Sequence, residues 1–318
     1  MRGLLALVLS VFIAVAGPAA AAWPEKPITV LVPFGPGGGA DIAARTLGRW
    51  IESRLGQPFV IVNRPGAGGE IGFAAIARAI PDGYTIGVVT LPNLVTIPLE
   101  RRASYAVEQI APIANLVDDV GGVFVRADSR FRSLADLVAA AKAAPGAISF
   151  GTTGIGTYAH FGMLALERQA GISLTPVAYG GTAAMRLALL QGELQVAGVS
   201  MTDAAQEMAQ GQVRALGQMA AARWSGTPDV PTLREQGFDV VLSSLRGFAA
   251  PVGIPPAIVA RLSALIGEAA ADPAFQALAK QQAMPLAFWD SARFAAEIAA
   301  QRAQYGRVWQ ERPWREKE

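Results

Sequence analysis

Cysteine is absent from the 318 residues, and histidine occurs once, as His160. Without cysteine the chain gains nothing from disulfides and must rely on its core, which 52% hydrophobic residues can supply. No Cys/His/carboxylate cluster has the spacing of metal ligands. No Gly-x-Ser-x-Gly elbow surrounds a serine. Lys and Arg number 27 against 25 Asp and Glu, a formal charge of only +2, and they form no long cluster. That distribution argues against a nucleic-acid partner. Beyond the first residues, no run has the length and uniform apolarity of a membrane span.

Residues 1–22 have the layout of a secretory signal. Arg2 gives a positive start, Leu4 to Ala16 an apolar stretch, and Ala20-Ala21-Ala22 a small-residue cleavage site before Trp23. The expected mature chain is therefore exported, and its length suits two domains.

Glycine is abundant, with 34 residues, and its placement carries most of the information. The apolar run Ile28–Val32 predicts a strand and Ile42–Arg54 a helix. Between them lies Pro33-Phe34-Gly35-Pro36-Gly37-Gly38-Gly39-Ala40-Asp41, which contains no Lys or Arg. Strand, glycine turn and helix leave main-chain N–H groups unpaired at a helix N-terminus, where they and the helix dipole attract an anion. The turn lacks the Lys-Ser/Thr of a P-loop and the Gly-x-Gly-x-x-Gly of a dinucleotide fold, so no cofactor is expected. A purely local role also fits, with Asp41 capping the helix or pairing with Arg45.

Further strands are expected at 59–62, 85–89, 123–125, 148–150, 173–177 and 194–199. Helices are expected at 73–79, 134–143, 160–170 and 183–190, with three more beyond Pro255-Pro256. Such βαβα alternation predicts α/β architecture with a parallel, doubly wound sheet. Glycine turns recur at strand-to-helix junctions, at 63–72, 151–157 and 179–183. Ligands of such folds sit outside the carboxyl ends of strands, so turns on two facing domains describe a closing cleft. Asp118-Asp119 reads as a solvated loop pair, and His160 as a satisfied helix or core residue.

Ordered motifs along the mature chain resemble the Bug/TctC family, the periplasmic solute receptors of tripartite tricarboxylate transporters. They include Trp23-Pro24-Glu25-Lys26-Pro27-Ile28, Val32-Pro33-Phe34 with Gly37-Gly38 and Asp41, and Asn63-Arg64-Pro65-Gly66-Ala67-Gly68-Gly69. Pro81-Asp82-Gly83-Tyr84-Thr85, Gly154-x-Gly156-Thr157-x-x-His160, Arg214-Ala215-Leu216 and Gly247-Phe248-x-Ala250-Pro251 continue the series. The resemblance implies a two-domain type II periplasmic-binding-protein fold, the Venus flytrap. The implied domains are 23–122 with 246–318, and 123–245.

It implies no enzyme, no metal and no cofactor, but a monomeric receptor in the periplasm. That receptor would hold a small organic carboxylate and pass it to membrane permease subunits. The implied ligand contacts are Phe34, Gly37, Gly38 and Asp41 on one side. On the other they are Thr152, Gly154, Gly156, Thr157, Tyr158, Tyr179, Gly181, Thr182 and Asp203. Two alternatives are a ligand sensor for a membrane signalling partner and a hydrolase using Ser200 or Asp203 with His160. The family usually carries Lys or Arg where this chain has Gly180, and a Trp where it has Leu245. The pocket turns then hold no cation, and Arg246 is the nearby one that could point inward.

Overall fold

A computed structural model describes residues 23–311, 313 and 314. The expected leader, and Arg312 and Arg315–Glu318 of the closing segment, lie outside the described residues.

The first half opens with β1 (Ile28–Val32), α1 (Gly39–Leu55), β2 (Phe59–Asn63), α2 (Glu70–Ala77), β3 (Thr85–Leu91) and α3 (Asn93–Glu100). β1 pairs in parallel with both β2 and β3. Being central and covered on both faces, it reads as a continuous apolar run rather than an alternating one. α1 ends where Gly56 takes φ +68° and its N–H returns 2.9 Å to the Glu52 carbonyl. Glycine is the residue that adopts this left-handed cap without cost.

The long strand β4 (Ile110–Arg126) carries the chain into the second half. There follow α4 (Leu134–Ala143), β5 (Ser149–Thr152), α5 (Tyr158–Ala170), β6 (Thr175–Ala178), α6 (Thr182–Gln191), β7 (Val196–Ser200), α7 (Ala205–Ala209) and β8 (Val213–Gln218). Ser133 caps α4 reciprocally with Asp136. β5 pairs in parallel with β6 and β7. The chain returns through β9 (Ser243–Pro251) and closes with α8 (Pro256–Ala271), α9 (Pro273–Gln281), β10 (Leu286–Trp289) and α10 (Ser291–Glu311).

The sheet is parallel only in its two wings. Between them β9 lies antiparallel to β3 and β4, and β4 lies antiparallel to β7, β8 and β10. The sequence pattern misses this middle because β4 contains Pro112, Asp118-Asp119 and Gly121-Gly122, which read as breakers. Two register shifts accommodate the early part of the strand. The glycine pair marks where β4 exchanges β9 for β7 and β8. A Cβ on Gly122 would lie 2.6 Å from the Met201 sulfur. α3 escapes notice because Pro92 precedes it and Pro98 lies inside it.

Each half has its own apolar core. In the first half, α1 and α8 pack Leu47, Ile51, Leu262 and Ile266 against the sheet face of Val30, Val88 and Phe248. In the second, α4 and α5 pack Leu137 and Leu166 against Val125 and Phe150. On the opposite face of the first half, Phe294 of α10 is fully buried with its ring against Gly247, where a Cβ would lie 2.4 Å away. Phe294→Ala should cost about 3–5 kcal/mol in urea unfolding. A loss below about 1 kcal/mol would show that α10 lies outside the cooperative core.

Candidate functional site

The turn after β1 is braced from within. Gly37 takes φ +78°, and its N–H donates to Asp41 Oδ2 at 3.0 Å. Arg45 Nε donates to the same oxygen at 2.9 Å, and Asn63 Nδ2 to Oδ1 at 2.9 Å. Burial acts to raise the Asp41 pKa, but the bonds from Arg45, Gly37 and Asn63 outweigh it and hold the carboxyl below its ordinary range. Asp41 thus shapes the turn and is 3% exposed.

Across from the turn lies a buried charge cluster assembled from three distant segments. Arg246 on β9 reaches Asp119 Oδ2 of β4 at 2.7 Å and Asp203 Oδ2, after β7, at 3.3 Å. It also donates to Ser200 Oγ at 3.0 Å. The guanidinium packs on the first residue of α1, since a Cβ on Gly39 would lie 2.0 Å from its Nη1. A side chain at position 39 would have to displace the guanidinium from its two carboxylates. Two positive features, a guanidinium and a helix N-terminus, are therefore pressed together and must be met by anions. Asp203 meets both: its Oδ1 accepts the Gly39 N–H at 3.0 Å. Thr202 Oγ1 donates to Asp119 Oδ2.

Asp203 is held firmly on its own side. Arg186 Nη1 donates to its carbonyl at 2.7 Å, Thr182 Oγ1 to its Oδ2 at 3.3 Å, and its N–H reaches Ser200 Oγ at 3.4 Å. Phe34, Gly38, Tyr158, Thr182, Asp203 and Arg246 line a cavity of about 30 Å³, room for a water molecule or so. Thr90 Oγ1, also in its wall, is buried without a hydrogen-bond partner. A wider cavity of about 460 Å³ adjoins at Phe34 and Thr153 and is lined further by Gly66–Gly69, Gly154, Tyr179 and Arg101. Arg101 donates to Glu70 Oε2 and the Ala67 carbonyl, each at 2.9 Å, and to Glu100 Oε2 at 3.3 Å.

The expected site residues divide accordingly. Phe34, Gly38, Tyr158, Thr182 and Asp203 line the inner cavity, and Phe34, Gly154 and Tyr179 the outer one. Gly37, Asp41, Thr152, Gly156, Thr157 and Gly181 line neither cavity. The 152–157 turn satisfies itself: Thr152 and Thr157 hydroxyls both donate to the Gly154 carbonyl. Gly156 N–H donates to His160 Nδ1 at 3.2 Å, and its carbonyl accepts from Thr96 of α3 at 2.7 Å, tying the two halves together. Burial alone pushes the His160 pKa down to about 4, so the ring stays neutral as an acceptor. The Ser200 hydroxyl is engaged by Arg246 and Asp203 rather than by His160.

Two expectations need correction. Asp119 is no solvated loop residue. It is fully buried on a strand, and pairing with Arg246 is what permits a charge there. The pocket walls also hold two arginines, Arg246 and Arg101, each neutralised by two carboxylates. Charge inside an apolar strand run, single in Leu245-Arg246-Gly247-Phe248 and paired in Val117-Asp118-Asp119-Val120, is the signal that could have flagged the cluster.

Burial pushes the Asp119 carboxyl up to about 6, although Arg246 draws it down. An acid whose folded pKa exceeds its unfolded value favours folding most when protonated, and that advantage is lost as pH rises through the folded pKa. The unfolding free energy of the protein relative to Asp119→Asn should therefore fall between about pH 4 and about pH 6 and level off above. A difference that rises over this interval would show that Arg246, not burial, governs the group.

The comparisons with known proteins agree on a family. The model of the tripartite tricarboxylate transporter family receptor matches residues 43–313. Protein BugT of Bordetella pertussis is 35% identical over 289 residues, covering 88% of each chain. The structure of periplasmic binding protein BugD superposes with TM-score 0.85 at 29% identity, covering 91% of this chain and 98% of that one. R. palustris Rpa4515 with adipate gives TM-score 0.87 at 25% identity over 91% and 97%. The fold is accordingly the two-domain periplasmic-binding type.

Proposed function

This chain belongs to the tripartite tricarboxylate transporter receptor family, and on that premise we propose that it is a periplasmic solute-binding receptor. It captures a small carboxylate in the cleft between residues 23–122 with 246–318 and residues 123–245, and delivers it to a membrane permease. The hinge is the pair of strands crossing between the halves, near Val120–Gly122 of β4 and Ser243–Leu245 of β9. Among the described residues, no helix is long and apolar enough to cross a membrane.

One observation carries the reading. The N-terminus of α1 already accepts a carboxylate, that of Asp203, on the Gly39 N–H at 3.0 Å. A main-chain donor at a helix start binds anions by geometry and dipole, without a basic side chain. The relative solved with adipate supports a carboxylate as the ligand class. What the walls provide is fixed donors and an excluded volume, which suit binding and release.

Ligand charge follows from the walls. Both arginines are matched by carboxylates, and helix ends add only about half a unit of charge each. A tricarboxylate therefore finds too little compensation. In calorimetric titration, mono- and dicarboxylates should bind tighter than citrate. The bound form should gain about 2.7 kcal/mol of stability at a hundredfold excess over Kd. Failure of every carboxylate in a broad panel to bind would overturn the receptor reading; citrate binding tightest would overturn the charge argument.

A further inference from the structure

Asp203 stands where an incoming carboxylate would be received. Its side chain crosses from one half of the protein to the other, taking the Gly39 N–H with one oxygen and Arg246 with the other. Its main chain stays fixed to its own half through Arg186 and Ser200. Arg186 is in turn held by Glu207 at 3.0 Å. The Asp203 side chain is held by the Gly39 N–H, Arg246 and Thr182, so it occupies the α1 N-terminus in this arrangement of the halves. With Asp203 seated, the inner cavity is about 30 Å³, too small for an organic acid. The Gly39 donor becomes available when the halves separate.

We propose that Asp203 is a built-in surrogate for the ligand carboxylate: it latches the two halves across the α1 N-terminus and competes with the ligand for that donor. The proposal rests on the receptor reading for the identity of the competitor, but the latch itself is independent of any ligand. Two consequences follow from the geometry. The latch makes separation of the halves costlier. Asp203 also sets the charge the cleft accepts. With Asp119 and Asp203 both ionised, Arg246 faces two carboxylates, a formal sum of −1 before any ligand enters. A ligand with a single carboxylate and an uncharged body then suits the cleft better than one with two carboxylates. Its body can extend past Phe34 into the wider cavity, whose wall Tyr179 shares. The unpartnered Thr90 hydroxyl in the inner wall supplies a further polar contact.

The test compares the mature protein with Asp203→Asn and Asp203→Ser, each first shown to melt cooperatively. Small-angle scattering without added ligand should give a larger radius of gyration for both variants than for the parent. Equal radii in all three proteins would overturn the latch. Calorimetry then uses hexanoate and adipate, matched in length and differing in one charge. The parent should prefer hexanoate, and Asp203→Asn should gain about tenfold or more for adipate as the competing charge is removed. An adipate preference in the parent that Asp203→Asn leaves unchanged would overturn the role of Asp203 in charge selection. Widened variants that bind neither acid would support the latch and count against the carboxylate receptor. Acid binding with equal radii would do the reverse.

Discussion

A guanidinium buried beside a helix N-terminus constrains everything around it. Isolated, Arg246 on Gly39 would be among the least favourable arrangements a protein interior can hold, because two positive features share one desolvated space. Asp119 and Asp203 make it tenable. These partners arrive from different places, one from β4 and one from the turn after β7, so the cluster exists only when both halves are folded and in contact. Removing one partner would leave a buried charge uncompensated, which is costlier than never having built the group. The cluster therefore reports on the relative placement of the halves as much as on local stability.

The strand β4 explains how such a cluster can form at all. Its first part belongs to the sheet built on β9 and β3, and its last part to the sheet built on β7 and β8. Asp119 sits just before the exchange, and Arg246 lies on the antiparallel neighbour, where Val117 and Leu245 stand in register with Arg246 and Asp118. Gly121 and Gly122 follow, packed against Met219 and Met201 with no space for a side chain. Buried charge, close glycine packing and the change of partner thus fall within a few residues. A rotation of one half against the other would act on this same segment.

Local features of the sequence were readable because their causes are local. The run before the first glycine turn and the helix after it each depend on neighbours within a few positions. The glycine turns at 151–157 and 179–183 were likewise found where strands meet helices, and part of each reaches the cavity walls. What escaped notice was non-local. The antiparallel middle of the sheet is hidden because Pro112, Asp118-Asp119 and Gly121-Gly122 interrupt the apolar pattern of β4. The spacing of Asp41 and Arg45 points to their local pair, which forms, but Asn63, distant in sequence, converges on the same carboxylate without any local signal. Arg101 gave no signal because its partners Glu70 and Ala67 lie 31 and 34 residues earlier.

Backbone donors and paired side chains do different work in this cleft, and the difference bears on selectivity. A helix N-terminus offers a fixed direction and about half a charge, so it recognises the geometry of a carboxylate while discriminating weakly on what lies beyond it. Discrimination has to come from charges that are fixed, buried and already paired, because only those cannot relax to suit whichever ligand arrives. Arg246, outnumbered by its two carboxylates, is such a group and carries no surplus of positive charge. At position 180, where the family resemblance leads one to expect a basic residue, this chain has glycine. The same reasoning holds for Arg101 at the cleft mouth, whose guanidinium is committed to Glu70, Glu100 and a main-chain carbonyl. Both arginines are thus already held by carboxylates of this chain.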